Sequence, residues 1–236
     1  MERRTPIFVT CSPRPRVGKT LLARVLAEFF RADERPVAAF DVNPDEFALV
    51  DYLPGYTAVA SVSDTKGQMA LFDQLLIADR VPKIVALGHD QFDKFFSVIH
   101  QIGFCDEARR RSVVPVMLFV ADPDRRSRQG YAMLRDRFPD LALVPVLNEA
   151  LAQVSRYREQ FPPTRQGGAP ISVPALPPFL RAVIERPSFS FAALSVTAAD
   201  TTSELYGWTR RVFLEFRELE LRMLLAELKP ALKFSA

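Results

Sequence analysis

The residues best suited to chemistry in this chain are Gly18, Lys19 and Thr20. A lysine ammonium can pair with a terminal phosphate, and a threonine hydroxyl is a hard oxygen ligand for Mg²⁺. The glycine lets backbone come close to an anion. Ahead of them the chain reads Val9-Thr10-Cys11-Ser12-Pro13-Arg14-Pro15-Arg16-Val17, entered through the apolar run Ile7 to Val9. Behind them Leu21 to Phe30 is amphipathic. Strand, loop and helix form the setting a phosphate-binding loop requires, because N–H groups at a helix start point at the anion and the helix dipole adds positive potential. The same residues also read as an ordinary strand-to-helix turn with a basic cap. Pro13 stands where such loops open with glycine, and Pro15 and Arg16 stand where small residues are usual. A proline has no N–H to offer an oxygen.

The elements that would position these groups follow from periodicity. Leu22, Val25, Leu26, Phe29 and Phe30 fall on one face of a helix over Leu21–Arg31. Val37 to Phe40 reads as a short buried strand, followed by Asp41-Val42-Asn43-Pro44. An acid at the carboxyl end of a second parallel strand lies beside the first strand's loop, where ligands bind in such sheets. Asp41 reads equally as a turn or cap residue before Pro44. Ser63 to Gln68 reads as a loop before a helix over Met69–Ile77. There Asp64 and Gln68 are weak site candidates or a plain cap and loop.

Pro82 to Asp90 is a third core strand and its exit. Its apolar run continues through Leu87, so a second site carboxylate is missing or displaced to Asp90. His89 lines the site or sits in a solvated loop, and His100 falls in the helical stretch Phe92–Ile102. Val113 to Ala121 is apolar throughout, as in a strand buried on both faces. A helix to about Phe138, a strand over Leu141–Asn148 and a last short strand over Ile171–Pro174 follow. The order predicts an α/β fold: a doubly wound, mostly parallel sheet with helices on both faces. We expect a single domain over 1–236, with an α/β core over 5–200 and a long amphipathic C-terminal helix over 203–232. In that helix Leu205, Val212, Leu219 and Ala226 form one row, and Trp208, Phe216 and Met223 a second. It packs on the core or on a partner.

Composition narrows the class. With 48% hydrophobic and 25% charged residues, the 236-residue chain can bury a sizeable core. Cys11 and Cys105 have no ligand-like neighbours, which argues against zinc and against a disulfide framework. No apolar run is long enough for a membrane span and no leader-like segment opens the chain, so a cytoplasmic location is expected. A net charge of +3 permits contact with nucleic acid but does not argue for it. The clusters Arg109-Arg110-Arg111 and Arg125-Arg126-Ser127-Arg128 read as solvated helix ends or as non-specific contacts to DNA backbone.

The stretch from Phe8 to Pro44 resembles the ParA/MinD family of deviant phosphate-loop ATPases. That family begins its loop Lys-Gly-Gly-x-Gly-Lys-Thr and ends its second strand Asp-x-Asp-Pro. Here those stretches read Arg14-Pro15-Arg16-Val17-Gly18-Lys19-Thr20 and Asp41-Val42-Asn43-Pro44, at matching separation. The resemblance implies ATP and Mg²⁺ as ligands, with Arg14 to Thr20 cradling phosphates and Thr20 with Asp41 organising the metal and its waters. Arg14 takes the place of the lysine that reaches across a dimer to the partner's nucleotide. Asn43 takes the place of the catalytic acid; an amide can hold a water but cannot act as a carboxylate base. Asn148 takes the place of a strand-end asparagine that reads adenine, and reads equally as an N-cap. Pro174 opens the loop over the base.

The implied function is an ATP-binding switch. It would be a homodimer that sandwiches ATP, hydrolyses it slowly or not at all, and positions a partner or cargo. The alternative is a nucleotide-free pseudo-ATPase scaffold acting through its C-terminal helix. A small-molecule kinase or amidoligase lacks a second substrate motif. Membrane binding by the last helix is opposed by Glu215, Glu218, Glu220 and Glu227 on its polar face.

Overall fold

The computed structural model describes residues 4–43, 49–152, 157, 159–164, 166–196 and 202–232. Pro44, which closes the Asp-x-Asn-Pro motif, lies outside them. Strand β1 (Thr5–Cys11) runs through the middle of a seven-stranded sheet. Around it stand β2 (Ala38–Val42), β3 (Thr57–Val59), β4 (Lys83–Leu87), β5 (Val113–Ala121), β6 (Ala142–Asn148) and β7 (Ile171–Val173). The spatial order is β3-β2-β4-β1-β5-β6-β7, and every pairing is parallel. The expected doubly wound parallel α/β sheet is therefore what the chain forms. The order reverses at β1, so a cleft opens beyond its carboxyl end.

Alternation along β1 explains the two layers. Ile7, Val9 and Cys11 point to one face and Phe8 to the other, and all four are at most 1% exposed. The first face is covered by α3 (Thr65–Leu75), α4 (Phe92–Gln101), α5 (Phe104–Arg110) and α6 (Arg125–Arg137). The opposite face is covered by α1 (Lys19–Ala32), α2 (Leu49–Tyr52), α7 (Pro178–Ile184), α8 (Phe191–Val196) and α9 (Glu204–Leu232).

Helix α1 packs through Leu22, Val25, Leu26, Phe29 and Phe30, the face that the periodicity predicts. Helix α9 lies beside it. Its residues Leu205, Trp208, Val212, Phe216 and Leu219 are buried, and Phe29 sits between Phe213 and Phe216 at ring separations of 5.4 and 5.7 Å. The apolar row then leaves the core: Ala226 is exposed. Ion pairs Arg35–Glu220 and Arg217–Asp33, each at 2.8 Å, hold the same helix from its polar side.

Short elements were invisible to periodicity, among them α2 and α8. β3 is three residues long and half-buried to exposed, and α5 is a short charged turn capped by Gly103. Among the described residues, no helix is long and apolar enough to cross a membrane.

Candidate functional site

Gly18 ends the loop and starts α1, with φ of +98°, a conformation that glycine adopts without strain. Arg16, also left-handed at +55°, flanks Val17 on the other side. No side chain caps the start of α1 and its first turn holds no acid. The helix start therefore presents Lys19 and Thr20 beside positive backbone potential with no competing carboxylate of its own. Lys19 Nζ donates to the Arg14 carbonyl at 2.5 Å, so the lysine arches over the loop.

These groups line a cavity of about 1060 Å³. Arg16, Val17, Gly18, Lys19 and Thr20 form one wall, while Asn43, Asp51 and His89 reach it from the ends of β2, α2 and β4. Asn148 and Pro174 reach it from the ends of β6 and β7. Val25, Val120, Val146 and Val212 also line it and are each 1% exposed, so the cavity pairs its polar groups with apolar walls. The volume is that of a site for a nucleotide-sized ligand.

The structure thus brings together Arg16 to Thr20, Asn43, Asn148 and Pro174. Arg14, Pro15 and Asp41 do not line the cavity. Arg14 turns to Asp124, the cap of α6, with Nε 3.7 Å from its carboxylate and no hydrogen-bond partner of its own. Pro13 packs on the same helix: a Cβ at Gly130 would come within 2.9 Å of its ring. The glycine missing from the loop is matched by one in the helix beneath it.

Asp41 is 2% exposed and accepts N–H groups from Asn43 and Val50 at 3.1 and 3.2 Å. It therefore ties the end of β2 to the start of α2, the turn reading of this residue. Burial raises its pKa, and the N–H donors oppose that rise.

No acid ends β4. Leu87 is followed by Gly88, where a Cβ would stand 2.7 Å from Asp90 Oδ1 and 2.9 Å from Asn43 Oδ1. Asp90 itself accepts from Gln91 at 2.8 Å. Asp90 falls in the loop after β4 and does not line the cavity. His89 lines the cavity, the less ordinary of its two readings. Asp51 escaped the sequence reasoning because nothing in its neighbours marks it; only the placement of α2 brings it to the mouth.

Asn148 donates from Nδ2 to the Val17 carbonyl at 3.0 Å and accepts the Ala150 N–H at 3.0 Å. The Pro174 carbonyl accepts from Trp208 Nε1 at 2.8 Å, which fixes the segment over the cavity to α9.

Arg24 was also missed. It lines the cavity and forms with Glu28 an ion pair whose side chains are 2% and 1% exposed. Elsewhere the side chains make local contacts. Asp64 caps α3 through the Gly67 N–H, and Gln68 bonds the Val62 carbonyl. His100 rests against Phe138. Arg109, Arg110 and Arg111 are exposed and paired with Asp106 and Glu107 on their own helix.

No protein-family model matches the chain, and no curated protein matches it. Among solved structures, it is similar to a chain of the MinC:MinD cell division protein complex from Aquifex aeolicus. That match has 13% identity, covers 88% of this chain and 96% of that one, and has a TM-score of 0.45. It is also similar to FlhF complexed with GMPPNP and Mg²⁺, at 14% identity over 90% of this chain and 75% of that one, with a TM-score of 0.39. The fold class stands on the parallel sheet and its strand order, independently of these superpositions.

Proposed function

We propose that the chain binds a nucleoside triphosphate, ATP with Mg²⁺, and works as a ParA/MinD-like switch with slow or absent hydrolysis. One observation carries this reading. An uncapped helix start bearing Lys19 and Thr20 opens into a nucleotide-sized cavity at the strand-order reversal of a parallel sheet. The residues present fit the ligand. Gly18 and the N-terminal N–H groups of α1 would meet phosphate oxygens, Lys19 would exchange the Arg14 carbonyl for the terminal phosphates, and the Thr20 hydroxyl would hold Mg²⁺. The metal would neutralise phosphate charge. Asp41 would act on its waters through the lone pairs that the Asn43 and Val50 N–H groups leave on its two oxygens.

Slow turnover would follow from the identity of Asn43 and from the end of β4. By the resemblance Asn43 takes the place of the catalytic acid, it lines the cavity, and β4 ends without an acid. Asn43 would hold a water without taking its proton. The homodimer rests on the place of Arg14 in the sequence, and its present contact with Asp124 would have to open for it to reach a partner's nucleotide.

The second reading, a scaffold that binds no nucleotide, is favoured by one feature: Pro15 offers the loop no N–H, beside the exposed Arg16. A protein partner for α9, a cytoplasmic setting and non-specific DNA contact through the exposed Arg125, Arg126 and Arg128 belong to the proposal at the level of sequence.

Titration of the purified protein with ATP and a non-hydrolysable analogue in Mg²⁺, with mass followed by light scattering, tests both. Binding that disappears in Lys19→Ala supports the nucleotide site, and a doubling of mass supports the dimer. Absence of binding at millimolar nucleotide leaves the scaffold.

A further inference from the structure

The amide of Asn148 has its hydrogen bonds inside the chain. Nδ2 donates to the Val17 carbonyl and Oδ1 accepts from the Ala150 N–H, both at 3.0 Å. The residue is itself firmly placed. It pairs with Val173 of β7, and its carbonyl accepts the Leu151 N–H at 3.0 Å. The Val17 carbonyl, by contrast, sits in the part of the loop with the least regular backbone. Left-handed Arg16 and Gly18 flank it, and the first helical bond of α1 runs from the Leu22 N–H to the Gly18 carbonyl, one residue later. Asn148 packs so closely there that a Cβ on Gly18 would lie 3.1 Å from its Nδ2.

We propose that Asn148 is a positioning residue of the phosphate site, which holds the Val17–Gly18 turn in its ligand-ready form. This rests on the reading of the loop as a phosphate site. Orienting the Gly18 and Lys19 N–H groups before an anion arrives removes an ordering penalty from binding. The effect acts on the phosphates and is independent of the base. The amide keeps a second N–H and a second lone pair, and removal of an Asn148 that read adenine with them would weaken ATP selectively.

The test compares the affinities of ATP, GTP and inorganic triphosphate, each with Mg²⁺, for the full-length parent and for Asn148→Ala. The same two proteins, without ligand, are compared by hydrogen exchange at the amides of residues 16–20. The expected result is a loss of about tenfold for all three ligands, the equivalent of one lost hydrogen bond. Faster exchange confined to the loop should accompany it. A loss restricted to ATP, with triphosphate unchanged, overturns the proposal, as does unchanged loop exchange. If Asn148→Ala does not fold, Asn148→Asp keeps the shape and the acceptor for Ala150, replaces the donor to Val17 by a carboxylate oxygen that repels its carbonyl, and carries the same exchange test. A parent that binds none of the three ligands removes the nucleotide reading, while the exchange comparison still decides the clamp.

Discussion

Arg24→Met would leave a carboxylate stranded in the core. Arg24 Nε lies 3.1 Å from Glu28 Oε1, and the guanidinium also donates to the carbonyls of Ile184 and Phe189. Its carbon stands 4.4, 5.2 and 5.6 Å from the rings of Tyr52, Phe191 and Phe189. Glu28 accepts in addition from the Ser190 hydroxyl and the Ala192 N–H. Methionine keeps much of the volume and removes the charge, so Glu28 retains two donors without a counter-ion and two carbonyls lose their donors. Breaking a buried pair in this way costs about 3–5 kcal/mol, a large share of the roughly 5–15 kcal/mol of a typical native state. Glu28→Leu should cost a similar amount. The double variant should lose less than the two singles together by about 2 kcal/mol, because neither charge is then left alone. Urea unfolding followed by the single tryptophan is the assay, since Trp208 lies 5.8 Å from the Phe191 ring beside the pair. Losses under about 1 kcal/mol in both singles, or a strictly additive cycle, would show that the pair does not hold 184–192 onto α1.

Other perturbations separate site from scaffold. Asn43→Asp should raise ATP turnover, and the rate should rise with pH, because the new carboxylate would face Asp90 across Gly88 and like charges delay ionisation. A rate no higher than the parent's at any pH would remove position 43 from water activation. Cys11 is fully buried and its thiol pKa is pushed well above the ordinary range by burial, while burial and Asp106 push Cys105 up to about 11 against Arg109. A thiol reagent at pH 8 should therefore titrate Cys105 slowly and Cys11 only after unfolding; rapid reaction of both would contradict the packing.

Burial acts to raise the Asp79 carboxyl, but the Lys83 ammonium at 2.8 Å and the Val81 N–H outweigh it and hold the group below its ordinary 3.8. A depressed folded value stabilises above the unfolded pKa and loses that contribution as pH falls through the folded one. Asp79→Asn should thus cost up to about 1 kcal/mol at pH 7, with Asp79 partly exposed, and the difference should fade toward pH 3 in thermal unfolding. A difference independent of pH would mean that the Lys83 pairing is not its source.

Periodicity was enough for every strand but β3 and for α1 and α9, and the order of these elements for the doubly wound parallel sheet. A strand buried on both faces and an amphipathic helix each carry their environment in consecutive residues. The types and order of Gly18, Lys19 and Thr20, with Asn43, Asn148 and Pro174 added by the family resemblance, were likewise enough to nominate groups that the fold gathers at one cavity. Partners could not be read in this way. Asp41 has the same spelling as a metal-site acid and as a turn cap, and only the placement of α2 gives its oxygens the Val50 N–H. Arg14 looks like a loop cation until α6 sets Asp124 beside it. Arg24 and Glu28 look like an ordinary surface pair one helical turn apart until 184–192 closes over them. Local pattern encodes which face of an element is buried. Which polar group meets which across the chain depends on how those faces stack, and that is settled only when the whole core is packed.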